Sequence, residues 1–400
     1  MENKKILKKA LLLSSLILAG CSKNNEIQAN KETDEVVIEH EPKKVEEIKE
    51  NQQIDILMIG DILVHEPVYK SGFQNDGTLN YDHFFKNISE DLDEAEIKIV
   101  NQETILGGSE LGFSSYPCFN SPQEIGDSEA KAGFNVILHA TNHAMDKGYT
   151  AIEKTIDFWK DNYPDITMLG LNQSEEEQNS IHIYEQDDFK IALLNYTYGT
   201  NGINLPKDKP YLVNLLDEQK VTTDIIKAKN MADFVIVMPH WGTEYQYVPD
   251  DLQKRYTELF SNLGVDLVIG THPHVLENIE VITNDEGHDM LVYYSLGNYV
   301  SGQTEKDRVV GGMAKVSIEK DYKTNESYIT EYELDPIVTQ QGEYTTYKLE
   351  DYSDELASEN TIKNKSGCSD FNMQYINSLC SEILGNSFDQ TEEKVKVKLR

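Results

Sequence analysis

Short apolar runs recur along the chain from residue 54 onward, and each run is followed at once by polar or glycine-rich residues. Continuous apolar runs of this length are typical of strands that are buried on both faces. The runs cover residues 54–59, 97–100, 136–138, 234–238, 267–269 and 290–294. The pattern therefore predicts a set of buried strands whose ends carry polar side chains.

Apolar residues at three- and four-residue spacing predict helices between these strands, over residues 150–160, 216–231 and 251–263. Alternating strands and helices indicate an α/β fold in which helices pack over sheets. In such sheets ligands bind at the carboxyl ends of the strands. The predicted strand ends can therefore converge on one cleft.

Composition narrows the classes of function. The 400 residues include 70 acidic and 36 basic side chains, which gives a formal net charge of −34. Because phosphate binding depends on Lys and Arg to release counterions, this charge argues against a nucleic-acid binder and against broad contact with anionic lipid. An acidic substrate would need local positive charge, such as a metal ion, to overcome the surface field.

The amino terminus has the pattern of a secretory signal. Four lysines precede a short apolar run at residues 10–18, which is below the ~20 residues of a membrane span. Leu18-Ala19-Gly20-Cys21 resembles a bacterial lipobox, and this resemblance predicts a lipid on Cys21. The alternative is an ordinary cleaved signal that contains Cys21. The lipoprotein interpretation predicts an extracytoplasmic protein that is lipid-anchored to the bacterial cell membrane.

The chain divides into four predicted segments. Residues 1–21 are the signal, and residues 22–53, with nine acidic residues, five lysines and few large apolar residues, are a disordered acidic tether. Residues 54–335 form the main domain, and residues 336–400 form an extension that packs on it. Cys368 and Cys380 flank a predicted helix, so a disulfide between them would require the chain to fold back.

Of the histidines in the polar segments after predicted strands, four belong to the clearest motifs: His143, His240, His272 and His274. Each of them alone is most simply a hydrogen-bonded loop or core histidine. Together with Asp61, Glu103 and Asn142 they form a ligand set for borderline divalent metals, which bind imidazole nitrogens and carboxylate or amide oxygens.

These segments resemble the metallophosphoesterase superfamily and, within it, the bacterial capsule-synthesis CapA family of the poly-γ-glutamate type. The resemblance spans residues 54–300 and implies a metallophosphatase-like α/β/β/α sandwich. Its motifs, in chain order, are Gly60-Asp61, Asn101-Gln102-Glu103, Thr141-Asn142-His143-Ala144-Met145-Asp146, His240-Trp241-Gly242-Thr243-Glu244-Tyr245, Gly270-Thr271-His272-Pro273-His274 and Ser295-Leu296-Gly297-Asn298.

The resemblance implies a site for two divalent metal ions, of Mn, Zn or Fe, and assigns roles to residues. Asp61, Glu103 and His274 would bind one ion, and Asn142, His240 and His272 the other, with Glu103 as a bridge. His143 resembles the general acid of the superfamily, and Asp146 would orient its imidazole. A pair of metal ions would activate water near neutral pH for attack on a phosphoester or an amide.

Two departures from the superfamily pattern affect the first metal ion. The usual Asp-x-His motif is absent after Asp61, and the nearest histidine, His65, is either a ligand or a residue that lines the cleft. Asn101-Gln102-Glu103 stands where Gly-Asp-x-x-Asp is usual. Trp241, Glu244 and Asn298 are candidate substrate-binding residues, although Trp241 could equally be a packing anchor and Asn298 part of a tight turn.

The sequence thus favours a membrane-tethered, CapA-like, metal-dependent hydrolase of capsule or poly-γ-glutamate synthesis or export. Its expected partners are an anionic polymer or phosphoester substrate and the membrane proteins of a polymer synthase, with no nucleic acid. Two alternatives share the same residues. One is a phosphatase or nucleotidase that acts on small phosphoesters, and the other is a non-catalytic scaffold of a membrane polymer synthase.

Overall fold

The computed structural model describes residues 49–399. The predicted signal peptide, Cys21 and nearly all of the predicted tether lie outside the described residues. Within the described part of the chain, every helix is too short or too polar to cross a bilayer.

Sixteen strands are found within residues 49–399. They are β1 (Gln52–Leu63), β2 (Ile97–Gln102), β3 (Val136–Leu138), β4 (Thr167–Leu169), β5 (His182–Gln186), β6 (Phe189–Thr197), β7 (Phe234–His240), β8 (Leu267–Ile269), β9 (Ile279–Thr283), β10 (Asp289–Tyr293), β11 (Asn298–Ser301), β12 (Val310–Asp321), β13 (Glu326–Gln340), β14 (Thr345–Lys348), β15 (Phe388–Asp389) and β16 (Lys394–Lys398). All six predicted strands are present among them.

Nine α-helices lie in the same described range. They are α1 (Glu66–Ser71), α2 (Ser89–Glu94), α3 (Glu124–Ala132), α4 (Gly148–Asn162), α5 (Glu175–Gln178), α6 (Glu218–Lys229), α7 (Asp251–Asn262), α8 (Asp354–Glu359) and α9 (Met373–Leu384). The three helices predicted from apolar spacing correspond to α4, α6 and α7. Asp217 and Asp250 cap the amino ends of α6 and α7, because each carboxylate accepts a backbone N–H of the first turn.

The strands form two sheets. The larger sheet has ten strands in the order β15-β16-β13-β12-β1-β2-β3-β4, with β11 paired to β1 and β14 paired to β13. The smaller sheet has six strands in the order β5-β6-β7-β8-β10-β9. Strands β1, β2, β3 and β4 are parallel to one another, as are β6, β7, β8 and β10. Several carboxyl ends therefore meet at one edge of each sheet.

The two sheets pack face to face, and helices cover their outer faces. Residues of β1 alternate between the layers: Met58 lies in the core between the sheets, whereas Leu57 lies in the core beneath the outer helices. From the smaller sheet, Ile236 joins the central core and Val235 packs with α6 and α7. The predicted α/β/β/α sandwich is confirmed, and β1 is buried on both faces along its apolar run at residues 56–59.

Residues 336–400 are part of the same sandwich. Strand β13 crosses the predicted boundary at residue 335 without interruption, and β14, β15 and β16 extend the larger sheet. Helix α9 contributes Ile376 and Leu379 to the central core. Cys368 and Cys380 are both buried free thiols, so the possible disulfide between them is not formed.

Candidate metal centre

The predicted ligands come from strand ends of both sheets and meet between them. Asp61 lies near the end of β1, Glu103 directly follows β2, and Asn142 follows β3. From the smaller sheet, His240 is the last residue of β7, and His272 and His274 follow β8. All six are at most 2% exposed, so the protein holds their polar atoms away from bulk water.

Glu103 lies at the middle of the cluster. Its Oε1 is 3.7 Å from Nε2 of His240 and 3.7 Å from Nε2 of His274. Both carboxylate oxygens are buried and have no hydrogen-bond partner. A buried carboxylate without partners is costly in free energy, which a bound cation would offset. Ligand atoms of Glu103, His272 and His274 all lie within 4.8 Å of one another, which suits a divalent ion.

Asp61 is oriented by its neighbours. Its Oδ1 accepts a hydrogen bond from Nδ2 of Asn101 at 2.8 Å, and its Oδ2 lies 3.2 Å from Nδ1 of His274. The backbone N–H of His272 donates to the same Oδ2 at 3.3 Å. The carboxylate is thereby fixed against the two histidines of the Thr-His-Pro-His segment.

His240 joins the residues of the two sheets. Its Nε2 is 3.0 Å from Oδ1 of Asn142, and its Nδ1 is 3.0 Å from Oγ1 of Thr271. A bond to the threonine hydroxyl fixes the orientation of the ring and leaves Nε2 facing Asn142 and Glu103. Such an outer hydrogen bond is usual for a metal-ligating histidine.

His272 and His274 have positive backbone φ angles of 101° and 60°. Residues other than glycine rarely adopt this conformation, and such strain concentrates at functional sites. Here the turn brings the two imidazole rings to 5.8 Å between centroids, and Nδ1 of His272 has no hydrogen-bond partner. Both features suit a pair of imidazoles that face a bound metal ion.

Burial sets the protonation of the cluster. It lowers the pKa of His240 and of His272 well below the usual range, and the neighbouring imidazoles lower both further. Burial also raises the pKa of Glu103 well above its usual range, with a further contribution from the charge of Asp61. Neutral imidazole is the form that binds metal. A cation in the cluster would reverse the shift of Glu103 by stabilising its ionised form.

His143 is held by Asp146 beside this cluster. Its Nδ1 is 2.7 Å from Oδ2 of Asp146, and its Nε2 is 4.0 Å from Oε1 of Glu103. The ring also packs edge-on against Phe119, with 4.7 Å between ring centroids. As expected from the sequence, Asp146 contacts one ring nitrogen of His143, and the other ring nitrogen faces Glu103 of the candidate centre.

His65 lies at the edge of the centre. Its Nδ1 is engaged by the backbone, 3.2 Å from the N–H of Gly302 and 3.3 Å from the carbonyl of Leu63, so Nε2 is the ring nitrogen left for other contacts. Burial lowers its pKa to about 4, an effect that the Leu63 carbonyl opposes and that the charges of His274 and His143 reinforce. The ring lines a pocket next to the cluster. The structure therefore favours the interpretation of His65 as a cleft residue.

The three predicted substrate-binding residues lie in different surroundings. Trp241 is fully buried, donates from Nε1 to the carbonyl of Tyr294 and stacks on Phe260, so its assignment to the cleft was wrong and the packing alternative applies. Asn298 is also fully buried, and its Oδ1 is 3.1 Å from Nδ1 of His274, so it contacts a candidate ligand and does not line the pocket. Glu244 is exposed and lines the pocket next to the centre.

That pocket has a volume of about 300 Å³. Its lining includes His143 and His274 of the cluster together with His65, Tyr116, Glu244 and Arg308. It therefore gives external molecules access to the candidate centre.

Asn201 is a site residue that the sequence analysis missed. Its Nδ2 is 3.3 Å from Nδ1 of His143, and its Oδ1 accepts a hydrogen bond from Asn142 at 3.3 Å. It lies four residues after Thr197, the last residue of β6. A signal was present, because β6 is parallel to β7 and its polar carboxyl end could have been included with the other strand ends.

Comparison with known proteins identifies similar sequences. The family described as "Bacterial capsule synthesis protein PGA_cap" matches residues 55–303. The PGA biosynthesis protein CapA of Bacillus subtilis (strain 168) is 36% identical over 172 residues, which are 42% of this chain and 43% of that protein. The capsule biosynthesis protein CapA of Bacillus anthracis is 26% identical over 264 residues, which are 64% of this chain and 61% of that protein. The chain thus spans less than two thirds of either relative.

Two solved structures show distant similarity. The NAD nucleotidase NadN of Haemophilus influenzae has a TM-score of 0.46 at 14% identity, covering 83% of this chain and 67% of that one. A 5'-nucleotidase precursor from Thermus thermophilus has a TM-score of 0.41 at 12% identity, covering 72% and 54% of the two chains.

Proposed function

The chain belongs to the bacterial capsule synthesis protein family PGA_cap, and we propose that it is a metal-dependent hydrolase of capsule or poly-γ-glutamate synthesis or export. One observation carries the proposal. Five other candidate ligand side chains from two sheets surround Glu103, whose two buried oxygens have no hydrogen-bond partner. Glu129 also has two buried oxygens without partners, but only Glu103 lies among imidazoles that could share a cation with it.

The ligand set is sufficient for two divalent ions. Asp61, Glu103 and His274 would hold one, and Asn142, His240 and His272 the other. Support for Glu103 as the shared ligand comes from its equal 3.7 Å distances to His240 and His274, one residue from each set. Mn, Zn and Fe all accept this mixture of nitrogen and oxygen donors.

Divalent ions bound here would supply the Lewis acidity that activates water at neutral pH and polarises the group under attack. The residues of the chain supply the remaining functions. His143 would donate a proton to the leaving group from Nε2, because Asp146 engages Nδ1 and so turns Nε2 towards the centre. Asn201 lies beside the same ring and accepts a hydrogen bond from Asn142 through Oδ1. His65 would offer Nε2 to a polar group in the pocket.

Membrane attachment and partners are part of the same proposal. The lipobox-like segment that ends at Cys21 would anchor the protein outside the cytoplasm, and the acidic segment 22–53 would hold the folded body away from the lipid. There the protein could act on an anionic polymer as membrane proteins of a polymer synthase deliver it. The names of the two CapA relatives support the capsule and poly-γ-glutamate context.

Metal analysis tests the site. Full-length protein loaded with Mn²⁺ and desalted should retain the metal, whereas His240→Ala and His272→Ala should lose most of it. His182→Ala is the matched control, because this β5 histidine contacts Thr167 away from the centre. Equal metal content in all four proteins would refute the assignment.

Activity and export assays separate the three functions. Release of fragments from poly-γ-glutamate by the Mn²⁺-loaded protein supports the proposal, and rapid turnover of simple phosphoesters with intact polymer supports the phosphatase alternative. The scaffold alternative predicts normal polymer export in cells that carry His240→Ala as their only copy. The hydrolase proposal predicts that export or polymer length changes in those cells.

A further inference from the structure

Arg308 is an unpaired cation in the pocket beside the metal centre. It is one of three arginines in a chain of 400 residues with 70 acidic side chains. Nevertheless, within residues 49–399 no carboxylate lies in ion-pair distance of its guanidinium, and its buried Nε has no hydrogen-bond partner. An arginine held in a pocket without a carboxylate partner is a group available to bind an external anion.

The surrounding residues fix the position of Arg308 relative to the metal centre. Its guanidinium stacks on the ring of Tyr245, 3.5 Å from the ring centroid. Gln303 donates to the hydroxyl of Tyr245 at 3.3 Å. Asn298 donates to the backbone carbonyl of Arg308 at 3.0 Å and, through Oδ1, contacts the ligand His274 at 3.1 Å. The cation is thus preorganised next to the candidate ligands.

The chemistry of the pocket indicates which anion it would hold. The metal centre would take the group that reacts, so an anion at Arg308 is a second charged group on the same substrate. A simple phosphomonoester has no such second group, whereas a glutamyl chain has a carboxylate on every residue. Glu244 adds negative charge to the pocket, and Arg308 is the one lysine or arginine in its described lining. Tyr116 and Phe119 provide aromatic surface for the methylene groups of such a chain.

We propose that Arg308 binds a backbone-linked carboxylate of a glutamyl polymer next to the bond presented to the metal centre. This inference rests on the proposed function and specifies its substrate class as an acidic polypeptide. The planar guanidinium can donate two parallel hydrogen bonds to a carboxylate, and stacking on Tyr245 leaves its edge free to do so.

The test is equilibrium binding of a short γ-glutamyl oligomer to the Mn²⁺-loaded full-length protein, measured by calorimetry. Arg308→Gln should weaken binding by about tenfold or more, since a charge-assisted bidentate contact is lost. Arg255→Gln is the matched control, because Arg255 also lies over a tyrosine ring, that of Tyr256, but away from this pocket. Its affinity should equal that of the unmodified protein.

A second ligand excludes a general loss of structure. An oligomer whose carboxylates are converted to amides should bind the unmodified protein and Arg308→Gln equally weakly. Equal affinity of the acidic oligomer for both proteins would overturn the proposal, as would an equal loss for Arg255→Gln. Retained metal in Arg308→Gln shows that the centre is intact, so a failure here is distinguishable from a failure of the metal site.

Discussion

Nδ1 of His143 lies 2.7 Å from Oδ2 of Asp146, a residue three positions further along the same turn. The same Oδ2 accepts the backbone N–H of Phe119 at 2.7 Å, so the carboxylate is itself fixed. The imidazole therefore has one ring nitrogen engaged by an acid and the other directed to Glu103. This arrangement suits an oriented proton donor beside the candidate metal centre.

His143→Gln should lower the rate of hydrolysis by about 10²–10⁴-fold, the usual contribution of general acid–base catalysis. Its metal content should be unchanged, because His143 is not a ligand in the proposed site. Asp146→Asn should lower kcat by a smaller factor, since the imidazole loses the carboxylate that orients it through Nδ1. Loss of metal from His143→Gln would instead identify this residue as a ligand.

Glu103→Gln should reduce metal affinity by about tenfold or more, because a neutral amide replaces the shared carboxylate. Metal affinity is measured by titration with Mn²⁺. Glu129→Gln is a closely matched control. Glu129 is a second fully buried glutamate with no partner for either carboxylate oxygen, and burial raises its pKa well above the usual range, but it lies on α3 outside the cluster. A similar loss of affinity in both variants would contradict the central role of Glu103.

Glu277 should make the fold less stable as pH rises from 4.5 to 8. Burial raises its pKa from 4.5 to about 8, while Gln253 donates a hydrogen bond to Oε2. Within this range the folded state binds a proton that the unfolded chain has lost, so each pH unit costs up to about 1.4 kcal/mol of unfolding free energy from this group. Glu277→Gln should remove that part of the pH dependence, as measured by urea unfolding at about pH 5, 6, 7 and 8.

Glu286→Gln is the control for this pH series, because Glu286 is exposed on a turn of the same region. Its unfolding curves should follow those of the unmodified protein at every pH. An unchanged slope in Glu277→Gln would show that its carboxyl is already ionised in the folded protein.

Trp241→Ala should lower the free energy of unfolding by about 3–5 kcal/mol, the usual cost of a large cavity in a core. Trp241→Phe should cost less, since the phenyl ring fills part of the space against Phe260 and Tyr294. Chemical denaturation gives both values. Because Trp241 packs in the core, Trp241→Phe should bind the γ-glutamyl oligomer as the unmodified protein does. A loss of oligomer affinity without a loss of stability would show that Trp241 lines the cleft.

The central features of the fold could be predicted from the sequence because they depend on local pattern. Strand β1 contains the apolar run 56–59, which indicates burial on both faces, and α4 has clear helical spacing. The convergence of Glu103 and His240 follows from a rule about where parallel strands end. The additions of β14 and β16 to the larger sheet were not predictable, because their pairing with β13 depends on contacts distant in sequence.

The direction of individual side chains was the harder part. Trp241 directly follows the candidate ligand His240, yet the two side chains point to opposite sides of the chain, as neighbours at a strand end do. Residue types alone could not show that Asn298 lies behind His274. The availability of Arg308 was equally hidden, because it depends on the absence of any described carboxylate near a particular guanidinium.

The six candidate ligands are divided equally between the two sheets. Asp61, Glu103 and Asn142 lie at strand ends of the larger sheet, and the three histidines lie at strand ends of the smaller one. Cations bound by residues of both sheets would hold the two layers of the sandwich together. The distance between the two sheets would then influence which metal ion the site prefers. Substitutions that change the volume of a side chain in the core between the sheets, at Met58 or Ile236, would then change the metal preference although every ligand is kept.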